Sequence, residues 1–290
     1  MKFPFNDWLR RGITDFIYAS ASPIARHGIL RPWLGEGIIF CYHRIQPRQS
    51  ARYPFSDSWL SVNPAVFKTH LDELQTLFDV ISVEEAISRL ISQKREEQRP
   101  FYCITFDDGY RDNLEHALPI LESLGAPATI FVTTWKNLPT PAVYRSWPEL
   151  NSFTPPDASL FLTDSDVRQL SRHPLITIGA HTNSHYPLSS LSDRNAKLEI
   201  TFPKEYLEQL TGLPVRHFSY PHGSSGTFGA REITYLAEAG YASAVAAIPS
   251  VLTKNSNVYA LPRTLVLPHV TGKRIVVLAS GMSNILGRSF

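Results

Sequence analysis

The sequence predicts an α/β fold: parallel β-strands covered by helices, arranged as an open sheet or a barrel. Three observations predict it. From residue 37 onward, short apolar, β-rich runs alternate with longer segments of helical period. The runs at 37–42 (GIIFCY) and 101–106 (FYCITF) are almost continuously apolar, as in strands buried on both faces. Reactive side chains also follow the runs, at the carboxyl ends where such folds place chemistry: His43, Asp107 with Asp108, His181, and Pro221-His222-Gly223.

The elements follow in order. Residues 1–36 form an N-terminal helical arm, with Trp8, Leu9, Ile13, Phe16 and Ile17 on one face of a helix over 7–20. That face packs on the main domain or, beside Arg10 and Arg11, rests on a membrane surface. Asp15, Ser20, Ser22 and Pro23 interrupt the apolar stretch, so it fails as a secretory signal. The main domain spans 37–290. After the strand at 37–42, Pro64 opens a helix over 64–77 with Phe67, Leu71, Leu74 and Leu77 inward. A brief strand at 78–82 and a helix at 83–92 lead to the strand at 101–106. A helix over 112–124 is stopped by Gly125. A strand at 128–133 precedes a stretch over 134–163, rich in Pro and Trp, that has no period. Its aromatics Trp135, Tyr144, Trp147 and Phe153 either stack on a ligand's rings or make a satellite core. The alternation resumes with helix 164–171, strand 175–180 and helix 192–210, the last stopped by Gly212. Strand 216–220, helix 229–239, strand 242–247, strand 258–266 and a final helix at 272–286 complete the chain.

Composition narrows the function. Of 290 residues, 43% are hydrophobic and 19% charged, ordinary for a globular chain. A formal charge of +2 without a basic run argues against nucleic acid as a partner. No stretch reaches the ~18 consecutive apolar residues that span a bilayer. The two cysteines, Cys41 and Cys103, lie inside apolar runs and read as buried thiols, which excludes a disulfide-stapled scaffold. Without a signal, the chain is expected to work in the cytoplasm or at the inner face of its membrane.

Two motifs carry chemistry. In Thr105-Phe106-Asp107-Asp108-Gly109, adjacent carboxylates at a strand end point to different sides. One can bind a metal while the other takes a proton, although an Asp-Asp-Gly turn capping the next helix has the same letters. In His181-Thr182-Asn183-Ser184-His185, two histidines four apart in one helical turn face one direction and can grip a divalent ion. One carboxylate and two imidazoles make three protein ligands and leave a position open for water.

Together, TFDDG and the later HTxxH resemble the polysaccharide deacetylase family (NodB homology, carbohydrate esterase family 4) over residues 37–270. The resemblance implies an incomplete, distorted (β/α) barrel. It also implies Asp108, His181 and His185 as metal ligands and Asp107 as the catalytic base. Zinc suits that ligand set, and cobalt, nickel or manganese fit it too. The activity implied is removal of an N-acetyl or other N-acyl group from an amino sugar, in a polysaccharide or its lipid- or nucleotide-linked precursor. The competing reading is a catalytically inactive carbohydrate-binding relative. In Phe218-Ser219-Tyr220-Pro221-His222-Gly223, Ser219 stands where the family carries an arginine, and Arg263 is the candidate replacement. Cys41-Tyr42-His43-Arg44-Ile45 resembles the opening motif of the circularly permuted poly-N-acetylglucosamine deacetylases, which makes His43 the candidate general acid, ahead of His269. Tyr110, Tyr220 and His222 are the candidate substrate contacts. The oligomeric state is left open by these residues.

Overall fold

All the strand pairs described are parallel. In this computed structural model, residues 36–47, 60–92, 99–135 and 158–280 are described. The N-terminal arm and Tyr144, Trp147 and Phe153 lie outside the described residues. The main sheet runs β10 (Thr264–Leu265), β1 (Gly37–Tyr42), β5 (Phe101–Phe106), β6 (Ala128–Val132), β7 (Ile176–Ala180), β8 (His217–Ser219), β9 (Ser243–Val245). The short β4 (Asp79–Val80) lies against the start of β5.

The sheet curls until one stretch of chain touches both of its edges. Leu261 exchanges backbone hydrogen bonds with β9 and its flank (to Ala244 O, 2.9 Å; from Ala246 N, 2.8 Å). A few residues on, β10 pairs with β1, and Val266 N donates to Cys41 O at 2.9 Å. The expected strand over 258–266 is therefore shorter: Pro262 has no N–H to give, and the chain changes edge there. The result is the incomplete barrel that the resemblance implied.

Strand alternation sorts the side chains. Ile38, Phe40, Tyr102, Ile104, Phe106, Ile130, Ile178 and Phe218 face outward and form one core with helices α1 (Pro64–Gln75), α3 (Leu118–Leu124), α4 (Asp164–Ser171), α5 (Asp193–Thr211), α6 (Ala230–Glu238) and α7 (Gly272–Ala279). Their in-between neighbours Ile39, Phe101, Cys103, Phe131, Val245 and Leu261 pack inside with α2 (Val83–Ile91). Phe131 fills so much of this interior that a Cβ on Gly179 would collide with its ring. Toward the carboxyl ends the inward positions turn polar: Cys41, Thr105, Asp107, His181, Ser219 and Arg263, all buried.

Helix boundaries follow their caps. Ser192 caps α5, and Gly125 and Gly212 end α3 and α5 in the left-handed region (φ 61° and 74°). The helix expected over 112–124 begins differently. Asn113–Ala117 is a π-helical turn in which Leu118 N donates to Asn113 O, and only then does α3 start. Pro119 removes the donor that would hold the usual register at this point. A two-stranded parallel pair, β2 (Arg44–Ile45) with β3 (Ser61–Val62), was not legible as strand. Cys41 and Cys103 are free and buried, and no described helix is long and apolar enough to cross a membrane.

Candidate active site

Asp107 continues the inward parity of Cys103 and Thr105 past the end of β5. Arg263, arriving from the stretch that closes the sheet, meets its carboxylate with a two-pronged grip. Nη1 donates to Oδ1 and Nη2 to Oδ2, both at 2.7 Å. The remaining guanidinium protons go to Ala246 O (3.1 Å), Thr105 Oγ1 (3.1 Å) and Ser219 Oγ (2.9 Å), so all five donors are used. Ser219 in turn donates to Asp107 Oδ2 at 3.2 Å. Burial by itself raises the Asp107 pKa, but the guanidinium, with His181 beside it, holds the carboxyl below the usual range. Serine in place of the family's arginine thus leaves room for a guanidinium from the opposite edge of the sheet.

Asp108 and Gly109 both adopt left-handed backbone (φ 72° and 71°), which turns the second carboxylate away from the first. Its Oδ1 lies 3.4 Å from His181 Nε2 and 3.3 Å from His185 Nε2. One ligand atom from each of the three residues falls within 4.8 Å of the others. Burial pushes the Asp108 pKa up, and the imidazoles of His181, His185 and His43 outweigh it, bringing it down to about 2. His181 Nδ1 donates to Ser219 O at 2.8 Å, which orients the ring and turns Nε2 toward Asp108. A carboxylate and two imidazoles, one of them oriented in this way, fit a divalent cation.

The histidines converge for a different reason from the helical turn expected of their spacing. Residues 181–187 contain no helix, and Thr182 and His185 have φ of 57° and 61°. Glu199 of α5, fully buried, holds this loop: Oε2 accepts from Asn183 N (2.8 Å) and Ser184 N (2.9 Å), and Oε1 from Ser184 Oγ (2.6 Å). His185 N donates to Thr182 Oγ1, and Thr134 Oγ1 to Asn183 Oδ1. Sequence reasoning missed Glu199. Its signal was a carboxylate on the apolar face of α5, beside Ala196, Ile200, Pro203 and Leu207.

His43, at the end of β1, brings a ring nitrogen within 4.8 Å of ligand atoms of both Asp107 and Cys41. Burial lowers its pKa against the pull of Asp108 and Asp107. Asn113 Nδ2 donates to the His43 carbonyl at 2.8 Å. His269 lies exposed in the turn after β10. Exposed His222 stands at the rim, its ring centre 5.0 Å from that of His185.

Two expected substrate contacts are corrected. Parity from inward Ser219 sends Tyr220 outward into the helix-side core, where it stacks on Phe228 and donates its hydroxyl to Tyr259 O at 2.8 Å. Tyr110 is fully buried, stacked on Phe161 beneath the Arg44 guanidinium, and its hydroxyl bonds Asp108. It supports a metal-ligand candidate instead of presenting a surface. Half-buried Trp135 packs edge-on against Phe161, which makes it part of the same satellite core.

Residues 94–244 match the polysaccharide deacetylase family model. The chain belongs to this family. Among relatives of this polysaccharide deacetylase is Bacillus subtilis (strain 168) YxkH, whose name carries the same family; it is 27% identical over 237 residues, covering 81% of this chain and 72% of YxkH. The fold is shared with Streptococcus pyogenes deacetylase PplD in complex with acetate (TM-score 0.68, 22% identity, 84% of this chain and 98% of that one). It is shared too with IcaB from Ammonifex degensii (TM-score 0.64, 21% identity, 85% and 98%).

Proposed function

We propose that this polysaccharide deacetylase is a metal-dependent N-deacetylase acting on an amino sugar. The observation that carries the reading is the divergence of two adjacent carboxylates. Asp107 is locked to Arg263, and Asp108 faces two histidines. Asp108, His181 and His185 would hold the cation, with zinc favoured by the donor set. When bound, such a cation lowers the pKa of a water and polarises the acyl oxygen.

The chain's own groups do the rest. Asp107 stays ionised because of Arg263 and accepts a proton from the attacking water; the two-pronged pair prevents the carboxylate from rotating away. Burial favours the neutral His43 imidazole, which would take up a proton in the course of the reaction and pass it to the departing amine. Exposed His222 is placed to touch the sugar. Asp107 stands outside the Asp108, His181 and His185 group, so its fixation by Arg263 favours catalysis over mere carbohydrate binding. The substrate reading extends to lipid- or nucleotide-linked N-acetylhexosamines at the inner membrane face, supported by Trp8, Arg10 and Arg11 of the arm.

The test is acetyl release by zinc-loaded protein from chitooligosaccharides and from a lipid-linked N-acetylhexosamine. Release from either, abolished by chelation and restored by zinc, is the expected result; binding without release by well-folded, metal-loaded protein refutes it. His43→Ala should be inactive and His269→Ala close to wild type, and the reverse pattern would move the acid role to His269.

A further inference from the structure

We propose that Cys41, His43 and Asp107 form a second cation site, selective for thiophilic metals, whose filling blocks the reaction. The blocking rests on the roles assigned above to Asp107 and His43, whereas the binding does not.

The three residues meet because of strand parity. Cys41 is paired with Thr105 across β1 and β5 and points inward, as Thr105 and Asp107 do. Its Sγ lies 3.5 Å from Asp107 Oδ2, to which the thiol donates. One ligand atom from each of Cys41, His43 and Asp107 falls within 4.8 Å of the others. His43 Nδ1 is buried without a hydrogen-bond partner, an uncommon state for an imidazole nitrogen. Sulfur, imidazole and carboxylate together are a donor set for zinc or cadmium, and the thiolate discriminates against magnesium and manganese.

Binding is a proton exchange. The Cys41 S–H bond breaks, its proton leaves to solvent, and a sulfur–metal bond forms where the thiol hydrogen faced Oδ2. Nothing is oxidised or reduced. The new thiolate charge offsets part of the cation's charge beside Arg263, which keeps its hydrogen bonds to Asp107. A metal held here occupies both the proposed base and the proposed acid. The Asp108, His181 and His185 group contains no sulfur, so spectroscopy separates the two sites.

The experiment is titration of metal-free full-length protein with cobalt(II). A near-ultraviolet thiolate-to-cobalt charge-transfer band is expected. Cys103→Ser should keep the band, and because the sequence has only two cysteines, Cys41 is then identified without being altered. Cys41→Ser should lose it. Asp108→Asn should keep it while losing binding at the Asp108 group, so the fate of one site is read independently of the other. Excess zinc should inhibit acetyl release, with the inhibitory concentration shifted upward in Cys41→Ser, while excess manganese should not inhibit. Absence of the band in the Cys103→Ser protein at saturating cobalt, its survival in Cys41→Ser, or its loss in Asp108→Asn would each overturn the proposal.

Discussion

Arg263 reaches across the closing edge of the sheet to hold Asp107 through two hydrogen bonds of 2.7 Å, with both residues almost wholly buried. A buried pair of this kind is costly to break, because the survivor is left as an uncompensated charge. Arg263→Ala should therefore destabilise the fold by about 3–5 kcal/mol. It should also lower turnover by about 10²-fold through misplacement of the carboxylate. Arg263→Lys should recover little of either, since an ammonium cannot reproduce a planar fork with five donors. Thermal unfolding and acetyl release on the same variants check both, and a fully active Arg263→Lys would mean that charge alone suffices.

Asp107 and Asp108 are neighbours with opposite surroundings, and their amides should fail in opposite ways. Asp107→Asn should keep metal bound and lose turnover by about 10²–10⁴-fold, the span of a general base. Asp108→Asn should lose the metal itself. Metal content by elemental analysis, set beside activity, decides it; metal loss in Asp107→Asn with retention in Asp108→Asn reverses the two roles.

Most of this site was legible because its signals are local. A strand's end can be read from its apolar run, and parity then says that Asp107 follows Thr105 inward. Arg263, at a later strand end, is legible as the cation that the Ser219 position lacks. Signals that depend on the backbone were lost. The spacing of His181 and His185 suggests a helical turn, yet their convergence comes from left-handed residues and from Glu199, which lies in another element. The alternation already sends Tyr220 outward beside inward Ser219, into the helix-side core and away from a substrate. The π-helical turn at Asn113–Ala117 has no period of its own to recognise; the only hint was Pro119.

His70 makes acid stability testable apart from the metal ligands. Fully buried in α1, it lies 3.2 Å from the Tyr42 hydroxyl at Nδ1 and 2.8 Å from Val270 O at Nε2, a pattern suited to the neutral ring. Burial lowers its pKa from 6.5 to about 4, against the Val270 bond. The unfolded chain therefore takes up a proton below 6.5 that the folded chain refuses. Stability is fully present above 6.5 and is lost as pH falls toward 4. The gap is worth about 3 kcal/mol. His70→Phe should be less stable at neutral pH yet show a shallower fall in melting temperature between about pH 7 and about pH 4.5. A residual fall of the same sign belongs to His217 and His185, lowered to about 4 and about 3, mainly by burial. An unchanged slope would remove His70 from the acid response.

Glu199 should govern metal affinity without touching the metal. Its carboxylate accepts from two amides and a hydroxyl of the loop between His181 and His185. An alanine removes both oxygens, so the two amide N–H groups and the Ser184 hydroxyl lose their acceptor. The left-handed turns at Thr182 and His185 then lose the partner that holds them, and the two imidazoles are free to splay apart. Glu199→Ala should weaken zinc binding by about 10–100-fold, the usual cost of disturbing groups that orient metal ligands. Helical content should remain unchanged. Chelator competition measures the affinity and circular dichroism the fold. Wild-type affinity in Glu199→Ala would show that the loop holds its shape without the carboxylate, and the convergence of His181 and His185 would then have to come from Thr182, Thr134 and Ser219 alone.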